Sequence, residues 1–134
     1  MYLDGQEILI IDDDERRREL SERVLSEAGF TVTVVSEGFS AIRAAGSRRV
    51  ALAIAAVELP GALDGPSIVR QIRVRQPWLK ALFTGDAARR QWHRNRDHED
   101  YIASPFDRRE LLGCVFELLQ RDVGDGHARR NRAG

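Results

Sequence analysis

The sequence predicts a doubly wound α/β domain: a five-stranded parallel sheet, strand order 2-1-3-4-5, sandwiched between helices in three layers. Three observations carry this expectation. Short apolar or β-branched runs recur at residues 8–11, 31–35, 50–57, 79–83 and 101–103. Stretches with helical spacing of apolar residues separate most of them. The first run ends in three consecutive carboxylates, Asp12, Asp13 and Asp14, where open parallel sheets place their ligand sites. A local alternative for these acids is helix capping by Asp14 with the others solvated.

Residues 1–6 form a lead-in to a first strand over 7–11. A helix over 15–28 follows, with Leu20, Val24, Leu25 and Ala28 on one stripe and the Arg16–Arg17–Arg18 triplet in solvent. Gly29 suits the left-handed position that closes it. The β-branched stretch 31–35 is a second strand. Ser36 is the expected N-cap of a helix reaching Ala45, with Phe39, Ile42 and Ala45 inward and Gly46 at its end. The alanine-rich run 50–57 is a third strand, broken by Leu59-Pro60-Gly61. Pro66 fits a helix first turn, with Asp64 or Gly65 ahead of it and Ile68, Val69 and Ile72 inward. That helix stops near Gln76, before Pro77.

Trp78 reads as a packing residue leading into the fourth strand, 79–83, which ends at Thr84-Gly85. Residues 86–99 form the weakest segment, offering a core only Ala87, Ala88 and Trp92. Strand five is 101–103. Asp107 then caps a last helix reaching Arg121, broadly apolar through Leu111, Leu112, Val115, Phe116, Leu118 and Leu119, with Cys114 as a half-buried filler. The division expected is one domain over 1–122 and a flexible basic tail over 123–134.

Composition narrows the function. The 134 residues suit one core. Lys plus Arg and Asp plus Glu are 21 each, so a binder of nucleic acid or membrane over its whole surface is not expected. The single cysteine allows no internal disulfide. His93, His98 and His127 lack a metal-ligand spacing. No basic leader, signal peptide or apolar span of ~20 residues is visible, so a cytoplasmic protein is expected.

Four features then point to a family: the acids Asp12 and Asp13 after strand one, the LPG…DG loop after strand three, Thr84 ending strand four, and Tyr101 followed by Ser104-Pro105-Phe106. In this order over residues 7–121, the chain resembles the receiver domains of two-component response regulators, with a CheY-like fold. The resemblance implies that Asp12 and Asp13 match an acidic pair that holds Mg²⁺. Thr84 matches a hydroxyl that contacts phosphoryl oxygens, and Tyr101 an aromatic that swings inward when the hydroxyl moves. It also implies a phosphoacceptor aspartate four residues before Pro60, where this chain has Ala56, and a lysine before the Pro-Phe pair, where it has Ser104.

Alanine offers no nucleophile, and a shift of register meets only Ala55 or Val57. Glu58 is the nearest acid on the strand. The pocket expected is therefore Asp12, Asp13 and Glu58 without the usual lysine. A divalent ion, an arginine (Arg16, Arg17 or Arg89) or a partner's basic residue would have to compensate the like charges. Asp12 and Asp13 remain a weak candidate Mg²⁺ site, and no cofactor is required.

The reading favoured is a non-enzymatic, stand-alone pseudo-receiver of a phosphorelay, acting through protein contacts without phosphorylation. Its partner would be a histidine kinase, another regulator or a second copy of itself as a homodimer. The expected partner face comprises Trp92, Phe106, Leu111 and Val115. The alternatives are phosphorylation on a displaced carboxylate, Glu58 or Asp13, and a small phosphatase using Asp12-x-Asp14, in a pattern similar to haloacid-dehalogenase-type enzymes. A third is nucleic-acid binding through RRQWHRNR and the tail arginines Arg129, Arg130 and Arg132, against which the zero net charge argues.

Overall fold

The computed structural model describes residues 5–88 and 98–121. Within them the chain runs β1 (Glu7–Ile11), α1 (Glu15–Glu27), β2 (Thr31–Val35), α2 (Gly38–Ala45), β3 (Leu52–Ala56), α3 (Gly65–Arg75), β4 (Lys80–Gly85), β5 (Glu99–Ala103) and α4 (Arg108–Gln120). All strand pairs are parallel, in the order β2-β1-β3-β4-β5. The expected sheet is therefore present. Residues 89–97 and 122–134, with the readings placed on Arg89, Trp92, the RRQWHRNR stretch and the tail, lie outside the described residues.

Period-two alternation divides the core between the faces of the sheet. Leu9, Ile11, Ala53, Ala55, Ala81, Phe83 and Tyr101 join Ala41, Ile68, Val69 and Ile72 of α2 and α3. Ile8, Ile10, Leu52, Ile54, Leu82 and Ile102 join Val24, Leu25, Leu111, Val115 and Leu118 of α1 and α4. β3 is buried at every position, as a central strand covered on both faces must be. Among the described residues β5 pairs only with β4. As an edge strand it tolerates polar residues, so it begins earlier than expected, at Glu99. There Arg73 binds Glu99 at 2.7 Å and Arg121 binds Asp100 at 2.9 Å.

Three expectations need correcting. Glu37, not Ser36, caps α2, accepting from the Phe39 N–H at 3.0 Å and the Ser40 hydroxyl at 2.7 Å. Phe39 points outward and is 62% exposed. The buried face of α2 is Gly38, Ala41 and Ala45. A Cβ on Gly38 would lie 2.9 Å from Ile68 Cδ1, so close packing against α3 selects the small residues over the large one. Finally Phe106, Leu111 and Val115, expected on a partner face, are core: Phe106 is 8% exposed and the other two 0%. Leu111 and Val115 have, with Leu118, the spacing of the stripe which α4 buries on the sheet, and Phe106 packs into the same cluster from just ahead of the helix.

Helix starts follow local chemistry. Asp14, Asp64 and Asp107 each accept from the backbone N–H three residues on, and Glu110 completes a capping box with Asp107. The N–H of Arg17 draws the Asp14 carboxyl below its ordinary range. Bonds from the Ser40 hydroxyl and the Phe39 N–H do the same for Glu37. At Asp64, partial burial pushes upward but is outweighed by donors from Ser67. A carboxyl depressed on folding stabilises the fold above its unfolded pKa, and that contribution is lost as pH falls through the folded value. Urea midpoints are thus expected to be insensitive to these caps down to about pH 4.5 and to decline below it. Asp14→Asn, which still caps, should flatten part of the decline.

Candidate functional site

The alternation that builds the core also assembles the site. Asp12 continues the Ile8–Ile10 face of β1, Ala56 the Leu52–Ile54 face of β3, and Thr84 the Leu82 face of β4. Ala56 and Thr84 are register partners. All three lie at the carboxyl ends of their strands, on the side covered by α1 and α4. A cleft of about 680 Å³ opens there, lined by Asp13, Asp14, Arg17, Ala56, Glu58, Thr84, Asp86 and Ser104 among others. Gly65 lets α3 start against its floor: a Cβ would sit 2.2 Å from the Ala56 carbonyl oxygen.

Arg17 dominates the geometry. Its guanidinium donates from Nε to Asp12 Oδ2 at 2.5 Å and from Nη2 to Asp12 Oδ1 at 2.8 Å. A third arm, Nη1, reaches Ser104 Oγ at 3.3 Å. Asp12 Oδ1 also accepts from the Asp14 N–H at 2.9 Å, and the Asp12 carbonyl accepts from Arg18 at 2.8 Å. The Asp12 side chain is 6% exposed and that of Arg17 is 25% exposed. A two-pronged arginine–carboxylate contact at this depth is among the strong charge-assisted pairings. The Asp12 carboxylate accordingly raises the pKa of the guanidinium above its ordinary range, against the opposing effect of burial.

Of the three arginines considered as compensating cations, Arg17 is the one brought to the acids. Arg16 is exposed, and Arg89 lies outside the described residues. The sequence signals only that a cation here needs a partner, since Arg16 and Arg17 share the first turn of α1. Arg17 is the third residue of α1, where the helix dipole disfavours a cation, so nearby carboxylates must offset the cost.

Thr84 is 2% exposed, and its Oγ1 makes no hydrogen bond among the described residues. Tyr101 is turned inward, 5% exposed, with its hydroxyl donating to the Asp86 carbonyl at 2.7 Å. Gly85 makes room for it: a Cβ there would lie 2.3 Å from the Tyr101 hydroxyl. Glu58 is exposed at the rim of the cleft.

Comparison with known proteins gives the family of the domain. Residues 8–116 match the model of the response regulator receiver domain. The chain belongs to that family. It is 39% identical over 126 residues to the transcriptional regulatory protein GltR of Pseudomonas aeruginosa, covering 90% of this chain and 52% of that protein. It spans about half the length of the curated relatives it matches. Among solved structures, a response regulator receiver protein from Sinorhizobium medicae superposes with a TM-score of 0.77 at 26% identity, covering 90% of this chain and 99% of that one. The receiver domain of sensor histidine kinase PA1611 from Pseudomonas aeruginosa, described with a magnesium ion coordinated in its active-site cleft, superposes with a TM-score of 0.72 at 31% identity. That match covers 86% of this chain and 98% of the other.

The donor set in this receiver suits Mg²⁺ poorly. Both oxygens of Asp12 are committed to Arg17, Ala56 offers no oxygen from its side chain, and the remaining acid of the pair, Asp13, is exposed. Among the described residues no group of three or more His, Cys, Asp or Glu side chains could hold a metal ion. Magnesium prefers near-octahedral oxygen coordination through one or two carboxylates, and a guanidinium repels it.

Sequence reasoning missed Gln76. It is 8% exposed and ties the base of the receiver together, accepting from the Val50 N–H at 2.8 Å and donating to the Ala45 and Arg48 carbonyls at 2.8 and 3.0 Å. No local pattern marks such a residue. Cys114 is half-buried, as expected, and burial pushes its thiol up.

Proposed function

We propose that this receiver domain is a pseudo-receiver: a non-enzymatic signalling module that works through protein contacts without accepting a phosphoryl group. The observation that carries the reading is the Arg17 guanidinium, bound to Asp12 by two hydrogen bonds and reaching Ser104. It sits in a cleft where Ala56 stands at the position that the resemblance gives to the acceptor. In this reading one internal cation does the neutralising work of a metal ion and a lysine, and requires neither. The inward Tyr101, held by the Asp86 carbonyl, supports a fixed conformation, since no phosphoryl group is needed to hold the ring there.

The partner is a protein of the same signalling system: a histidine kinase, another regulator or a second copy. The relatives that share this domain include transcriptional regulatory proteins, so a role upstream of transcription is the natural setting. The second reading is phosphorylation on a displaced carboxylate, favoured by the presence of Glu58 and Asp13 on the cleft. In-line attack from there suffers from the displaced geometry. Any Mg²⁺ binding belongs to this second reading and would be weak.

One experiment separates them. After incubation with acetyl phosphate and Mg²⁺, intact mass spectrometry is expected to show no phosphoryl adduct. An adduct that disappears in Glu58→Gln or Asp13→Asn would establish the second reading instead.

A further inference from the structure

The three large apolar side chains left exposed among the described residues lie on one side of the molecule. Phe39 on α2 is 62% exposed, Val74 on α3 80%, and Trp78, just past α3, 38%. Val74 and Trp78 line a groove of about 690 Å³ between the carboxyl ends of α2 and α3, together with Ile42, Ala45 and Ile72. Phe39 lies one helical turn before Ile42 on α2, outside the groove lining. This face covers the opposite side of the sheet from Arg17 and Asp12.

Charge is segregated on the same face. Residues 38–49 contain Arg43, Arg48 and Arg49, residues 65–79 contain Arg70, Arg73 and Arg75, and neither stretch contains a carboxylate. Arg73 is paired with Glu99, and Arg48 with Glu7 at 3.3 Å. Arg43 and Arg70 lie toward the cap carboxylates Glu37 and Asp64 at the amino ends of α2 and α3 and lower their pKa values, whereas Arg49 and Arg75, at the groove, have no ion pair among the described residues. Arg49 stacks over the Trp78 ring at 3.8 Å. In a chain of zero net charge, such a basic rim around an apolar floor is a specific surface feature.

We propose that the α2–α3 face is a docking groove for an acidic amphipathic helix of a partner protein. Its apolar side would lie on Ile42, Val74 and Trp78 and its carboxylates against Arg49 and Arg75, as in helix-in-groove recognition. A second copy presenting the same face would set arginine against arginine. The chain's own segments 89–97 and 123–134 are themselves arginine-rich and carry the wrong sign. A nucleic acid would have no use for the aliphatic floor, and Arg49 already covers one face of Trp78. A membrane surface is too flat to enter the groove.

The test is a titration of the isotope-labelled full chain, followed by amide and indole NMR shifts. The probe is a synthetic helical peptide of Glu and Leu with its leucines on one face. Its Lys/Leu counterpart and a mixed-sequence single-stranded oligonucleotide serve as controls. Saturable binding of the acidic peptide is expected, with shifts centred on Ile42, Val74 and the Trp78 indole. Val74→Asp and Arg75→Glu should each weaken it by about tenfold or more. Both side chains are exposed, so an unchanged melting temperature will show that the fold is intact. The proposal is overturned if the acidic peptide does not saturate, if the basic peptide or the oligonucleotide binds as well, or if the shifts map elsewhere. Because the groove is remote from the cleft, these outcomes are independent of the acetyl phosphate result.

Discussion

Arg17→Ala is expected to lower folding stability by about 2–3 kcal/mol, measured by urea denaturation at neutral pH. The substitution strands the Asp12 carboxylate, 6% exposed, with one backbone donor to its side chain, from Asp14. Breaking a buried pair from one side costs about 3–5 kcal/mol in general. The quarter exposure of Arg17 brings the expected figure below that range, because solvent screens what remains. Removing both partners should be gentler than removing one. Asp12→Ala combined with Arg17→Ala is expected to cost clearly less than the sum of the single changes. A stability for Arg17→Ala within about 0.5 kcal/mol of the parent would show that the pair is ornamental.

Gly65→Ala should cost about 3 kcal/mol by the same measurement. Helix propensity alone predicts the opposite sign, since alanine is better than glycine in a helix by up to about 1 kcal/mol. Sterics win here. The new Cβ would meet only backbone: 2.2 Å from the Ala56 oxygen, 3.0 Å from its carbonyl carbon and 3.3 Å from Val57 Cα. No side chain can rotate away, so the start of α3 must lift off the end of β3. The Gly65 N–H bond to the Val57 carbonyl, 3.0 Å, would be strained with it. A neutral or stabilising Gly65→Ala would mean that α3 sits less tightly on the cleft floor than described.

The parts of the fold that were legible in the sequence are those set by local rules. The five strands follow from runs bounded by polar breaks, α3 from Asp64 and Pro66, α4 from Asp107 and the apolar stripe after it. What failed was decided by packing between elements. Phe39 looked like core because large apolar residues usually are, but Gly38, Ala41 and Ala45 let α2 approach α3 more closely than Phe39 would. Leu111 and Val115 share with Leu118 the period of the buried side of α4, and Phe106, just ahead of the cap Asp107, is buried by packing in the same core cluster; a partner face drawn from resemblance ignores both.

At the site, the missing charge was legible and its replacement only partly. Ala56 and Ser104 announce that an acidic pocket needs a cation. Three arginines could have supplied it, and only the path of α1 over the end of β1 selects Arg17. The arginine-rich α2–α3 face was invisible for a different reason. Its six arginines are spread over two segments of sequence, and zero net charge hides their convergence.

The Arg17 guanidinium, bound to Asp12, sits at the position where the resemblance places a metal ion. The measurement that bears on it most directly is a Mg²⁺ titration of the labelled chain and of Arg17→Ala, following the amide signals of residues 12–14 and 84–86. These signals are expected to stay in place in the parent chain and to shift saturably once Arg17 is removed. Saturable shifts at those amides in the parent chain, at ordinary millimolar Mg²⁺, would contradict it.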